Sequence, residues 1–445
     1  MREMMGSGGI RLLVLALMLA VAGEAHARRQ ENNLSVIPAV LNGAALKPLL
    51  GISVTQLSAF RCNEAGRLTP LTFQVDEINA AGRYVPNFGS GIARDDSPGI
   101  IDENDEIVTM LRDWGTDCPA ALLSSVRGTV IRSETRVHYL DAPAVMYFLI
   151  AERGLAPDEF MVRYEPAADR ITSSSLTLAW DSAHPAILNE MKTRDLRGRE
   201  TENILDRLKF RFQAKTIGNL LTLTVTENDI EARLLGVRAG PVRVIRELRT
   251  VATPVPGFPI EAAITCLHYD RMLVVTGLYD FPKMAAMFTA SMDMTVTMDF
   301  QSLKGLTVST QQVPKGTVVD GKMLDSDRSL SMGSEPWYMA NGLGLNLIGV
   351  VEVDPEMRGQ SSALFIDSEI STRPPERVPG GLPELGYQFL GWENLKARKY
   401  IVRGLAIALP GFPEGGGSGF YRAFNAPVNI QTSALKADEP VLSRN

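Results

Sequence analysis

Between Leu221 and Phe300 the chain alternates apolar and polar residues with a period of two. Leu221, Leu223 and Val225 interleave with Thr222, Thr224 and Thr226. Further on, Met292, Met294, Val296, Met298 and Phe300 interleave with Asp293, Thr295, Thr297 and Asp299. Side chains of a strand point to alternate faces, so each run has one wet and one dry side. Glu227-Asn228-Asp229 and Arg238-Ala239-Gly240-Pro241 punctuate this region as turns, with strands over 230–237 and 242–251. The Met positions suit an adaptable core face rather than a soft-metal site.

The same texture continues on both sides. Short apolar runs over 34–57, 71–75, 107–111, 126–139 and 145–151 are broken by Gly, Pro, Asn and Asp, which predicts a first β-domain. Residues 173–180, 342–353, 361–366 and 400–409 read as further strands. The densely charged stretch 185–211 is expected to mix helix and loop, and residues from Gln431 onward to form a polar tail. With no βαβ rhythm, the expectation is all-β: a small N-terminal β-sandwich-like domain over 28–156, a large antiparallel sandwich over 157–430, and a tail over 431–445.

A length of 445 residues with 45% hydrophobic and 22% charged content is that of a folded, multi-domain protein. Its 45 basic against 51 acidic residues give a net charge of -6, a poor balance for gripping nucleic acid. At the start, Arg2 and Arg11 precede an apolar run from Leu12 to Ala22, followed by Ala25-His26-Ala27. This is the layout of a secretory leader cleaved after Ala27. The run falls short of the ~20 residues that span a bilayer, and no later segment is long and apolar enough. The expected location is the periplasm or the extracellular space.

Export makes a disulfide plausible for Cys62 and Cys118, which share the first domain, while Cys266 reads as a buried thiol. Three unpaired thiols are the alternative. Asp102, Asn104 and Asp105 offer hard oxygen ligands for calcium, or carboxylates that cap their own loop. Arg238, Arg243 and Arg246, with Arg233 and Arg249, surround one predicted hairpin and match the carboxylates of an acidic polysaccharide. Glu231 and Glu247 interleave with them, as on an ordinary solvated face. Trp337 and Trp392 are candidates to stack on sugar rings, or core residues. His184, His268 and Tyr269 are candidates for proton abstraction, or structural side chains. Zincin, Cys-x-x-Cys, nucleophile-elbow, phosphate-loop and dinucleotide motifs do not occur.

Two signatures go further. The first is Pro70-Leu71-Thr72-Phe73-Gln74-Val75-Asp76-Glu77 with Asp102-Glu103-Asn104-Asp105-Glu106; the second is Gly236-Val237-Arg238-Ala239-Gly240-Pro241-Val242-Arg243. Together they resemble exported bacterial proteins of the exo-rhamnogalacturonan-lyase-like kind. The resemblance implies a small β-domain joined to a double-sheet super-sandwich, a fold shared with mutarotase-like carbohydrate-active proteins. It implies polysaccharide binding or lyase-like cleavage, and carries over no catalytic residue. The other function class left open is a structural or assembly factor of the cell envelope, with protein partners there.

Overall fold

Period-two alternation is realised as strands in nearly every place it occurs. The computed structural model describes residues 35–89, 94–136, 142–155, 159–194, 199–255, 257–281, 289–301, 303–323, 330, 332–368 and 377–435. The predicted leader and its cleavage site lie outside the described residues. The fold is all-β, as expected, with antiparallel sheets stacked on one another. No helix among the described residues is long and apolar enough to cross a membrane.

A nine-stranded sheet forms the middle layer, running in order Glu231–Ala239, Val244–Val255, Phe258–His268, Met272–Asp280, Lys399–Ala408, Leu345–Val353, Trp337–Gly342, Thr307–Thr310 and Thr317–Val318. Both of its faces are covered, so alternation sorts its residues between two cores. Met272, Val274, Ile348, Val350, Leu405 and Ile407 pack with Ile131, Met146 and Phe148 of the N-terminal sheets. Ile260, Ala262, Leu347 and Val351 face the other way, toward Phe212, Met294, Leu385 and Phe389. Those belong to a five-stranded sheet ordered Thr222–Thr226, Leu205–Thr216, Thr289–Phe300, Glu384–Phe389 and Ser361–Ile366. Two sheets facing across an apolar layer make the sandwich.

Two expectations are corrected. The charged stretch 185–211 contains the strands Leu188–Thr193 and Leu205–Thr216, not a helix. Its charges alternate with Leu208, Phe210 and Phe212, so they line one face of a strand while the apolar side chains enter the sandwich. Residues 431–434, expected in a polar tail, belong to a strand. Asn429–Ala434 is a strand that returns to the N-terminal domain and pairs with Thr129–Arg136. Cys62 and Cys118 are bonded, 5.4 Å apart at Cα, and Cys266 is a free, buried thiol.

Candidate functional site

The interior of the sandwich is hollow. A cavity of ≈ 250 Å³ lies between the nine-stranded and five-stranded sheets. Its floor is built from alternate residues of neighbouring strands: Leu248 and Ala252, Ala262 and Ile264, Val275 and Gly277, Val402 and Gly404. Its roof is Leu208, Phe210, Val296, Met298 and Tyr387. Several of these inward-facing side chains, including Phe210, Leu273, Val296 and Val402, keep part of their surface accessible. The cause lies in the sequence. Ala232, Ala262, Gly404 and Ala406 supply little side-chain volume to fill the space between the sheets. A Cβ on Gly404 would meet nothing within 4 Å.

On residues that line this space, Arg246 Nη1, Tyr387 OH and Trp392 Nε1 are buried without a hydrogen-bond partner among the described residues. They belong to residues only 0%, 8% and 2% exposed. Buried polar groups are almost always partnered, so each orphan needs an explanation. Trp392 Nε1 belongs to an indole ringed edge-on by Phe212, Tyr279 and Phe281 at 5.5 to 6.1 Å. The low polarity of the space also shows in the titrating groups around it. Burial pushes the Cys266 thiol up to about 11 and the Tyr279 phenol up to about 12.

The outer face of the five-stranded sheet has the opposite character. Arg207, Lys209 and Arg211 follow one another at alternate positions, with Asp299 and Glu384 from adjacent strands and Glu227 from the next turn. Lys209 Nζ is 2.6 Å from Asp299 Oδ2, and Arg207 Nε is 3.2 Å from Glu227 Oε1, which also receives Arg211 on its second oxygen. All six residues are buried. Reading 185–211 as helix and loop concealed this row; a period-two count of its charges reveals it.

The residues singled out from sequence are dispersed. The two family signatures meet as the halves of one buried joint. Gln74 Oε1 accepts from the backbone of Val242 (3.0 Å) and Arg243 (2.9 Å), and Gly240 leaves no room for a Cβ beside the Gln74 amide. Arg243 Nε donates to Asp76 Oδ2 at 2.8 Å, its Nη1 to Tyr269 OH at 3.0 Å, and its Nη2 to Glu106. Arg238 donates to the Val75 carbonyl at 2.8 Å. Arg238, Arg243 and Tyr269 therefore tie Val75, Asp76 and Glu106 to the sandwich; Arg243 and Tyr269 are buried and present nothing to an external sugar. Trp337 is buried too, its Nε1 donating to Glu335 at 3.0 Å. His268 is buried, with its ring 5.0 Å from Trp180, and burial with Arg246 nearby holds its pKa well below the usual value. A buried neutral imidazole is no solvent-facing base. Only Arg246, Trp392 and His184 line the cavity.

The acidic loop caps itself. Asp105 accepts from Ile78 N (3.1 Å) and Asp102 N (3.0 Å), while Asp102 accepts from Asn104 N (3.2 Å). Burial pushes the Asp105 carboxyl up to about 6. Asn104 Oδ1 has no hydrogen-bond partner among the described residues, and no group of three or more His, Cys, Asp or Glu there is placed to hold a metal ion.

Fold and site define an all-β sandwich protein with an internal, largely apolar cavity. No protein-family model and no curated protein matches the chain. Solved structures are similar at low identity. Slr1438 from Synechocystis sp. PCC 6803 is 10% identical with a TM-score of 0.34, over 58% of this chain and 98% of that one. A GalM/aldose epimerase homologue from C. elegans is 10% identical with a TM-score of 0.34, over 53% and 96%. An alpha-N-acetylgalactosaminidase from Bifidobacterium bifidum is 9% identical with a TM-score of 0.32, over 54% and 36%. Two of these three are carbohydrate-active by name, but scores this low carry no inference about chemistry.

Proposed function

We propose that this chain is an exported binding protein whose ligand occupies the space between the two sheets of its sandwich. The observation that carries the reading is the cavity itself: ≈ 250 Å³, apolar walls and unpartnered polar groups at fixed positions. That combination is the usual anatomy of a small-molecule site. The volume exceeds the ~150 Å³ at which an apolar cavity accepts a benzene ring. The leader around Ala27 and the Cys62–Cys118 bond support a periplasmic or extracellular location. The test is titration with the neutral fluorescent probe N-phenyl-1-naphthylamine. Saturable enhancement at one site per chain, lost in Gly404→Leu, is expected; enhancement that Gly404→Leu leaves intact refutes the cavity.

The second reading is polysaccharide association, by binding or lyase-like cleavage. The row of Arg207, Lys209 and Arg211 with its three carboxylates favours it, since guanidinium groups pair with uronates. These six residues are buried, so the apolar reading comes first. Retarded migration in gels containing pectic polysaccharide supports association; unsaturated-uronide absorbance supports cleavage.

A further inference from the structure

We infer that the cavity takes a long acyl chain whose carboxylate is held by Arg246. This rests on the binding reading above and adds the ligand's class and its polar end. The polar end follows from one guanidinium. Arg246 is fully buried on the Val244–Val255 strand and lies flat against Trp180, 3.9 Å from the ring centroid. Its Nε donates to Asp169 Oδ1 at 3.2 Å and its Nη2 to Asp169 Oδ2 and to the Pro185 carbonyl at 3.1 Å. The side chain is therefore fixed in place on a residue that lines the cavity, with Nη1 as its remaining donor group, buried and without a partner among the described residues. An oxygen with lone pairs is the complement of that group, and a carboxylate is the strongest form of it.

The chain-like apolar part follows from the walls. From Arg246 the inward positions continue as Leu248, Thr250 and Ala252, a run of about 20 Å at the rise of a strand. Beside it lie Ile264, Ala262 and Ile260 on the next strand and Val275, Gly277 and Tyr279 on the one after. Beyond the Arg246 end these walls offer few hydrogen-bonding groups. A sugar, with a hydroxyl on nearly every carbon, would leave most of its donors unpartnered there. An alkyl chain has none to lose.

The experiment compares dodecanoate with dodecylammonium on the intact protein, each displacing N-phenyl-1-naphthylamine. Dodecanoate is expected to displace at least tenfold more effectively. Arg246→Gln should remove that preference, and Gly404→Leu should weaken all three. If the two amphiphiles displace equally, the carboxylate assignment is wrong while the cavity stands. If the neutral probe itself does not bind, or Gly404→Leu does not affect it, the binding reading fails first. The comparison of the two amphiphiles needs no variant, so a folding defect in Arg246→Gln leaves it decisive.

Discussion

Asp105 shows how one side chain can be read correctly in kind and still need coordinates to be understood. Sequence placed it in a loop rich in carboxylates, with capping and calcium both open; the structure gives its two oxygens to backbone amides of Ile78 and Asp102. Burial raises its pKa to about 6, above the unfolded value near 4. The folded state therefore keeps the proton where the unfolded chain has lost it. The stability this contributes is complete below about pH 4 and is lost as pH rises through about 6. Wild type should accordingly have a larger urea-midpoint advantage over Asp105→Asn at pH 4 than at pH 7. An unchanged difference refutes the assignment. A calcium ion at Asp102, Asn104 and Asp105 remains our proposal from the donor set, and it would raise the wild-type Tm at pH 7 in millimolar calcium and not that of Asp105→Asn. Arg243 and Arg246 differ for a related reason. Arg246 lies on the Val244–Val255 strand and Arg243 immediately precedes it; the odd spacing sends them to opposite sides, one to the joint with Asp76 and one to the cavity. Treating the hairpin arginines as one cluster missed that.

Elements with clean alternation were legible: Thr289–Phe300 forms a strand with Met292 and Met294 fully buried and Asp293 and Thr295 facing the other way. Elements whose alternating partners are charged were not, because charge density was weighed before period. Leu205–Thr216 is the clearest case. The C-terminal strand failed differently. Asn429–Ala434 has no apolar alternation to speak of, and its stability comes from backbone pairing with a distant strand. Truncation after Val428 removes that partner and leaves the Thr129–Arg136 edge unpaired. The expected outcome is a lower Tm and concentration-dependent aggregation, read by scanning fluorimetry and light scattering. A truncated chain that melts and scatters like the full one would show the strand to be dispensable.

At the scale of the whole molecule, two features need all three layers at once. The space of ≈ 250 Å³ is the first: its walls come from both sheets of the sandwich, so it exists only when the two are stacked. The interdomain joint is the second feature. Arg243→Ala leaves Asp76 buried with its main charge partner gone, and breaking such a pair costs about 3–5 kcal/mol. Urea unfolding should show a loss of that size; a loss under about 1 kcal/mol would mean that the joint does not hold the layers together. Period-two alternation was enough, without coordinates, to state an all-β sandwich, because that property depends on local order along the chain. Tertiary structure alone decided that the two signatures meet at Gln74 and Arg243, that the last strand returns to the first domain, and that the sheets stand apart around a cavity. Each of those depends on side-chain volume and charge summed across strands far apart in sequence, which no local pattern records.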